Sequence, residues 1–252
     1  MLQSLKKIFE TNTIEINANG DTIPLHSNTS LKQGYFLQQM FDLVKPEKSI
    51  EVGFAYGISS MFILEKHREL QSKAGAHIVI EPDIYWGGAA EFNINKEGLL
   101  HYLDVRRDFS DKVLAKLFLE NVRLQYAYID TTKKFDAIMQ DFYMINKMMD
   151  NGGVVILDDC GGSCPGVQRV ARFINTLPNF KVLGAFEKNR ISFKKQVATR
   201  IVTLIMGLLP FKNKIYEGID FSTNAQLGLD FSCIAFIKHA EDKRKWNWDE
   251  PL

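Results

Sequence analysis

Three carboxylates and a lysine stand at positions where they could do chemistry together. Asp130 follows the apolar run 125–129, and the pair Asp158 and Asp159 follows the apolar run 154–157. If both runs are parallel strands, their carboxyl ends meet at one edge of a sheet, and the three acids form a highly charged site of oxygen ligands. Such a site suits Mg²⁺, with Ca²⁺ or Mn²⁺ as less favoured candidates. Like charges this close need a cation, or protonation of one acid.

A metal ion at this edge would have a chemical use, because it lowers the pKa of a bound hydroxyl and gives an alkoxide or phenolate at neutral pH. Other interpretations of the same residues stay open. Asp158 or Asp159 could only cap the following loop, and Asp130 could contact a cofactor or a backbone amide. Lys133 lies three residues after Asp130, with Lys134 beside it. A lysine here could take part in the chemistry or could simply be solvated at a helix start.

A glycine-containing turn forms a second group of interest. Glu51 ends a short apolar run, Gly53 and Gly57 follow, and a helical pattern begins at Ile58. This order predicts a strand, a tight turn and a helix. Because glycine lacks a Cβ atom, a ligand can touch the backbone there, and the first turn of the helix offers N–H groups to an anion.

An acidic residue in this turn separates two classes of cofactor. Glu81 follows the second predicted strand, where a carboxylate can accept both ribose hydroxyls of an adenosine, although it could also be a capping acid. Glu51 would repel the pyrophosphate of NAD, and the glycines read G-x-x-x-G instead of G-x-G-x-x-G. An amino-acid tail carries an ammonium group that a carboxylate can pair with. The residues therefore favour S-adenosylmethionine over NAD.

The elements that must position these residues alternate along the chain. Short β-rich runs occupy residues 49–52, 77–81, 101–105, 125–129, 154–157, 181–187 and 232–238. Helical patterns occupy residues 35–43, 58–70, 86–95, 112–120, 135–149 and 167–177, and the glycines at 152 and 153 are expected to end the helix before them. Strands that alternate with helices predict right-handed βαβ units and a parallel sheet.

The segment Glu51-Val-Gly-x-x-x-Gly-x-Ser-Ser60 resembles motif I of class I S-adenosylmethionine-dependent methyltransferases. Within them the chain resembles the metal-dependent small-molecule O-methyltransferases of the catechol and caffeoyl-CoA type and the bacterial antibiotic and sugar O-methyltransferases. The other matching motifs are Ile80-Glu81-Pro82, Ser110-Asp-Lys-Val-Leu114, Ile129-Asp130-x-x-Lys133 and Leu157-Asp158-Asp159. The resemblance covers about residues 30–176 and the last two strands. It implies a Rossmann-like, doubly wound α/β fold with a seven-stranded, mostly parallel sheet, an antiparallel last strand and a helical insertion before that strand.

The resemblance also implies roles for individual residues. Gly53 and Ser59 would contact the methionine part of the cofactor, Glu81 would hold the ribose, and the segment from Asp108 to Ser110 would lie near the adenine. The implied cofactor-binding set is Glu51, Gly53, Tyr56, Gly57, Ser59, Glu81, Asp108, Phe109, Ser110 and Asp130.

The implied metal ligands are Asp130, Asp158 and Asp159, and Lys133 occupies the position of the general base. A lysine base must lose its proton for part of the time, which a nearby Mg²⁺ and the sulfonium would favour and the acids would oppose. The chain reads Ile129-Asp-Thr-Thr-Lys-Lys-Phe135 where the bacterial pattern is Ile-Asp-Gly-x-His-x-Tyr, and it has Asp-Asp where catechol-type enzymes have Asp-Asn.

The composition of the chain limits the classes of partner that it is expected to bind. The 252 residues carry a net charge of +1, and no Asn/Asp-Pro-Pro-Tyr/Phe motif follows the fourth strand, so a nucleic-acid substrate is not expected. Three cysteines make no disulfide framework, so we expect a cytoplasmic protein. The most apolar window, residues 201–210, is about half a membrane span, so no integral membrane segment is expected. The expected partner is a small hydroxylated molecule.

The domain prediction is a single methyltransferase domain over residues 1–252, with an N-terminal helical cap at 1–45 and an insertion or lid at 188–229. The insertion could instead be a basic helix on a membrane surface, and its apolar residues are compatible with a homodimer.

The leading hypothesis is metal-assisted O-methylation. The alternatives are a metal-independent O- or N-methyltransferase and a cofactor-binding protein without catalysis.

Overall fold

The computed structural model describes residues 1–26, 28–82, 88–161, 163–188 and 222–248. The helices are α1 (Gln3–Thr11), α2 (Leu31–Val44), α3 (Ile58–Glu69), α4 (Ala89–Lys96), α5 (Ser110–Leu119), α6 (Phe135–Met148) and α7 (Pro165–Thr176). The strands are β1 (Thr13–Glu15), β2 (Thr22–Pro24), β3 (Ser49–Val52), β4 (His77–Ile80), β5 (Leu103–Arg106), β6 (Leu124–Ile129), β7 (Met149–Leu157), β8 (Phe180–Lys188) and β9 (Phe231–Lys238).

Seven strands form one sheet in the order β5-β4-β3-β6-β7-β9-β8. Strands β3 to β7 pair in parallel, and β9 runs antiparallel between β7 and β8. The predicted sheet, including its antiparallel last strand, is confirmed. The chain leaves β3 toward one edge through β4 and β5, and returns beside β3 with β6. The carboxyl ends of β3 and β6 therefore form the switch point, where open α/β sheets bind their ligands.

Helices cover both faces of the sheet because the inner strands are apolar on both sides. In β6, Ala127 and Ile129 pack in one core with Ile138 and Phe142 of α6. The alternate residues Tyr126 and Tyr128 pack in another core with Leu37 and Phe41 of α2. Side chains of a strand point alternately to opposite faces, so this six-residue strand is anchored from both sides and its end is fixed.

The N-terminal region contains more than the predicted helical cap. It holds α1, the two-stranded antiparallel hairpin of β1 and β2, and α2. Strands of three residues are too short to give a periodic signal, so the sequence pattern did not predict this hairpin. Whether residues 1–45 and 188–229 act as a cap and an insertion stays a prediction.

The largest boundary error lies between α6 and β7. The helix ends at Met148 and the strand begins at Met149, so the glycines at 152 and 153 lie inside the strand, where they had been expected to end the helix. Most of the predicted insertion, residues 189–221, lies outside the described residues, as do residues 83–87, where the helix predicted over residues 86–95 begins. Within the described ranges, no helix combines the length and hydrophobicity that crossing a membrane requires.

Candidate functional site

The glycine turn after β3 lies directly against the end of β6. Gly53 has a φ of +99°, and a Cβ atom built on it would stand 1.9 Å from the backbone oxygen of Asp130. Gly57 has a φ of +69°, and its Cβ would stand 2.8 Å from the Cβ of Ala90 on α4. Both glycines are therefore required by the approach of neighbouring chain segments, a constraint separate from any contact with a ligand.

Glu81, at the end of β4, holds this turn in place. Its Oε2 accepts hydrogen bonds from the backbone N–H groups of Phe54 and Ala55, with N···O distances of 3.0 and 3.2 Å. Ala55 has a left-handed φ of +43°, which is unfavourable for alanine and needs such support. The residue predicted to hold the ribose thus also shapes the turn beside it.

Glu51 lies beneath the turn and is 1% exposed. Its two carboxylate oxygens accept hydrogen bonds from the hydroxyls of Ser59 and Ser60, and Oε2 also accepts one from His77 Nε2 at 3.0 Å. Ser59 and Ser60 lie in the first turn of α3, so these bonds fix the start of that helix to β3. These hydrogen bonds engage the carboxylate of Glu51 and the hydroxyl of Ser59, and the predicted contacts of both residues with the cofactor stay predictions.

A chain of buried polar groups continues from Glu51. The hydroxyl of Ser49 lies 2.8 Å from Nδ1 of His77 and 2.7 Å from Nε2 of His67, whose Nδ1 lies 2.9 Å from Ser72 Oγ. Burial, and then the nearby His77, lower the pKa of His67 to about 3, so its ring is neutral. Sequence reasoning missed this chain; the signal was Ser49 and Glu51, two polar residues on one face of a buried strand.

The three predicted acids and the lysine converge at the carboxyl ends of β6 and β7. Lys133 Nζ lies 2.6 Å from Oδ1 of Asp130 and 2.8 Å from Oδ2 of Asp159. Asp158 is close enough to Asp130 for its charge to raise the pKa of that carboxyl. We call Asp130, Lys133, Asp158 and Asp159 the acidic edge.

Asp158 is held by partners that sequence reasoning did not identify. Its Oδ2 accepts hydrogen bonds from Tyr128 OH at 2.7 Å and from Gln33 Nε2 at 2.8 Å, and its Oδ1 accepts one from the N–H of Asp159 at 2.8 Å. Tyr128 is fully buried in β6. Gln33 comes from α2, 125 positions before Asp158 in the chain, so no local pattern could have assigned it to this site.

Burial and the neighbouring charges of the acidic edge shift the pKa values of its own residues. Burial, and then the charge of Asp158, raise the pKa of Asp130 to about 7, against the opposing influence of Lys133. Burial alone would lower the pKa of Lys133, but the carboxylates of Asp130 and Asp159 outweigh burial and raise that pKa above its ordinary value. The acids therefore favour the protonated form of Lys133, and its role as a general base stays a prediction.

The donor set of the acidic edge does not fit Mg²⁺ in this arrangement. Magnesium takes near-octahedral oxygen ligands at about 2.1 Å. Here Asp130 and Asp159 share the ammonium of Lys133, and both oxygens of Asp158 accept hydrogen bonds. In the described part of the chain, no group of three or more His, Cys, Asp or Glu side chains is arranged to hold a metal ion. A role for magnesium stays a prediction.

The residues expected near the adenine lie at the end of β5. Phe109 is the N-cap residue of α5 and is 61% exposed, so its ring faces solvent. Asp108 is half-buried, and the N–H of Phe109 and the ammonium of Lys112 hold the pKa of its carboxyl below the ordinary value. Ser110 begins α5. Tyr56 is instead buried, and packs in one core with Phe54.

Residues 50–160 match the family model described as a methyltransferase domain. The chain contains a methyltransferase domain. This range runs from β3 to the residue after Asp159, so it includes the glycine turn, Glu81 and the whole acidic edge. The prediction of a methyltransferase, made from motif I, is confirmed for these residues. The chain matches no curated protein sequence.

Solved structures share the fold of the methyltransferase domain at low sequence identity. An O-methyltransferase from Bacillus cereus in complex with SAH has a TM-score of 0.57 and 20% identity, over 71% of this chain and 81% of that one. An O-methyltransferase from Streptomyces achromogenes involved in tomaymycin synthesis, in complex with SAM, has a TM-score of 0.56 and 17% identity, with the same coverage. An SAH-bound methyltransferase from Podospora anserina has a TM-score of 0.56 and 15% identity, over 73% and 83%.

Proposed function

We propose that the methyltransferase domain transfers the methyl group of S-adenosylmethionine to a hydroxyl oxygen of a small molecule. One observation carries the proposal: the glycine turn touches the backbone of Asp130, with a built Cβ of Gly53 only 1.9 Å from its oxygen. A cofactor seated on that turn would therefore have its reactive end beside the acidic edge. Similar structures that hold SAM or SAH support this choice of cofactor.

The charges of the site suit this cofactor. The acidic edge has three carboxylates and one ammonium, so it keeps an excess of negative charge beside the turn. A sulfonium cation is attracted to such a site, whereas the pyrophosphate of a dinucleotide is repelled. Glu81 lies at the end of β4, next to β3, where its carboxylate can accept hydrogen bonds from ribose hydroxyls.

The reaction needs little acid–base work from the protein. The bond between sulfur and the methyl carbon breaks as the bond between that carbon and the acceptor oxygen forms, which yields S-adenosylhomocysteine and a methyl ether. The hydroxyl proton must leave, and a carboxylate of Asp130 or Asp159 would accept it. The main task of the domain is to align oxygen, carbon and sulfur and to exclude water.

Cofactor binding and methyl transfer can be tested separately. Calorimetry should show that S-adenosylhomocysteine binds the wild-type protein, and that Glu81→Gln weakens binding by about tenfold, because one charge-assisted hydrogen bond to a ribose hydroxyl becomes a neutral one. Glu97→Gln, on the loop after α4, is the matched control and should bind as the wild type does. Absence of binding to the wild type would refute the proposed cofactor.

The acceptor class is tested with labelled S-adenosylmethionine and a panel of phenols, sugars and hydroxylated polyketides, beside matched amines. Label should appear in ethers, and Asp130→Asn should lower turnover while S-adenosylhomocysteine still binds. Transfer to amines alone would support the N-methyltransferase alternative. Cofactor binding with no change on substitution of Asp130 or Lys133 would place the chemistry outside the acidic edge.

A further inference from the structure

Lys133 occupies the centre of the acidic edge, where a cation is needed. Its ammonium lies within hydrogen-bond distance of Oδ1 of Asp130 and Oδ2 of Asp159, and the side chain is only 33% exposed. The two acids follow different strands, so one lysine ties the end of β6 to the end of β7. Three carboxylates this close require a positive charge between them, and the chain supplies one covalently.

A divalent ion would compete for the same oxygens. To reach Asp130 and Asp159 at about 2.1 Å, Mg²⁺ would have to stand close to the position of the lysine nitrogen, where the two cations repel each other. The third acid, Asp158, has little free capacity to bind a metal ion. Oδ2 of Asp158 already accepts bonds from Gln33 and Tyr128, which use both of its lone pairs, and Oδ1 accepts the N–H of Asp159.

We propose that the ammonium group of Lys133 is the resident cation of the acidic edge, in the place that a divalent metal ion would otherwise take, and that methyl transfer proceeds without such an ion. An ammonium group has three N–H donors. Two of them point to the carboxylates of Asp130 and Asp159, and the third can reach the acceptor oxygen and stabilise negative charge that develops there. Lys133 then serves as an electrostatic donor, and a carboxylate receives the hydroxyl proton.

The inference rests on the proposed function for its catalytic part, but its central claim concerns metal binding and can be measured without a substrate. The test is a titration of chelator-treated protein with Mn²⁺, followed by electron paramagnetic resonance of the free ion, with S-adenosylhomocysteine present. Wild-type protein should show no binding in the micromolar range. Lys133→Met, which keeps the side-chain length and removes the charge, should bind Mn²⁺ tighter by about tenfold or more.

Lys134→Met is the matched control and should behave as the wild type does, because no described carboxylate lies within ion-pair distance of Lys134. If Lys133→Met does not fold, Lys133→Gln tests the same loss of charge. Micromolar Mn²⁺ binding by the wild type, or no gain of binding in folded Lys133 variants, overturns the inference. If the protein fails to bind S-adenosylhomocysteine at all, the proposed function is wrong, while the Mn²⁺ result with and without Lys133 still decides which cation occupies the edge.

Discussion

At the scale of single residues, the candidate site depends on close contacts and on buried polar groups. Gly53 is the clearest case, because a strand end, a turn and a neighbouring strand meet at one Cα atom. The motif predicts that Gly53 contacts the cofactor, and packing gives a separate reason for a glycine at this position. For Glu51 the resemblance implies a contact with the cofactor, which stays a prediction, and in the folded chain its carboxylate anchors α3 through Ser59 and Ser60.

Replacing Gly53 should test this contact. In Gly53→Ala the new methyl group would stand 1.9 Å from the oxygen of Asp130, on a backbone with a φ of +99°. We expect a loss of about 3 kcal/mol or more in the free energy of unfolding, since backbone atoms must move and the conformation is strained. Gly98→Ala is the control: its φ is +69°, but nothing lies within 4 Å, so strain alone should cost about 1 kcal/mol. Urea unfolding compares the two, and equal losses would contradict the packing argument.

At the scale of elements, α2 reaches the site across the sheet. Gln33 donates to both Asp158 and Tyr128, so this N-terminal helix orients a carboxylate that follows β7. Local patterns in the sequence identify the strands and helices of the α/β core because their burial is periodic. They cannot identify Gln33 as a site residue, because its partners lie 95 and 125 positions away.

Gln33→Ala should lower methyl transfer by about tenfold through misplacement of Asp158, which corresponds to about 1.4 kcal/mol in the transition state. The control is Gln38→Ala on the same helix, whose amide donates to the oxygen of Phe62 and to Glu65, away from the acidic edge. Both variants lose two hydrogen bonds and should unfold at similar urea concentrations. Only the Gln33 variant should lose turnover; a similar loss in both would indicate a general effect of α2 on stability.

At the scale of the whole molecule, the buried chain from Glu51 to Ser72 joins β3, β4 and α3, so its ionisation affects global stability. His67 has a folded-state pKa of about 3, well below the 6.5 of an exposed histidine. The unfolded chain therefore takes up a proton as the pH falls below about 6.5, and the folded chain does not until about pH 3. Stability from this group is complete above the unfolded-state pKa and is lost progressively across that window.

The measurable consequence is a slope in the free energy of unfolding that approaches about 1.4 kcal/mol per pH unit for one proton. His67→Asn should flatten this slope between about pH 6 and pH 4, although it lowers stability at neutral pH by removing buried hydrogen bonds. His101→Asn, at an exposed position, is the control and should keep the slope. The measurement is urea unfolding of each variant across this pH range. An unchanged slope in the His67 variant would mean that other groups cause the loss of stability at low pH.

The sequence by itself determined the parallel α/β core, the glycine turn after β3 and the identity of the four residues of the acidic edge, because these follow from periodic burial, glycine positions and the carboxyl ends of strands. Only the tertiary structure decided how those residues are used. It joined Lys133 to Asp130 and Asp159, gave Asp158 to Gln33 and Tyr128, and buried Glu51 under the turn. The distances between side chains from separate elements determine which charged groups pair with each other. The order of residues along the sequence does not contain these distances.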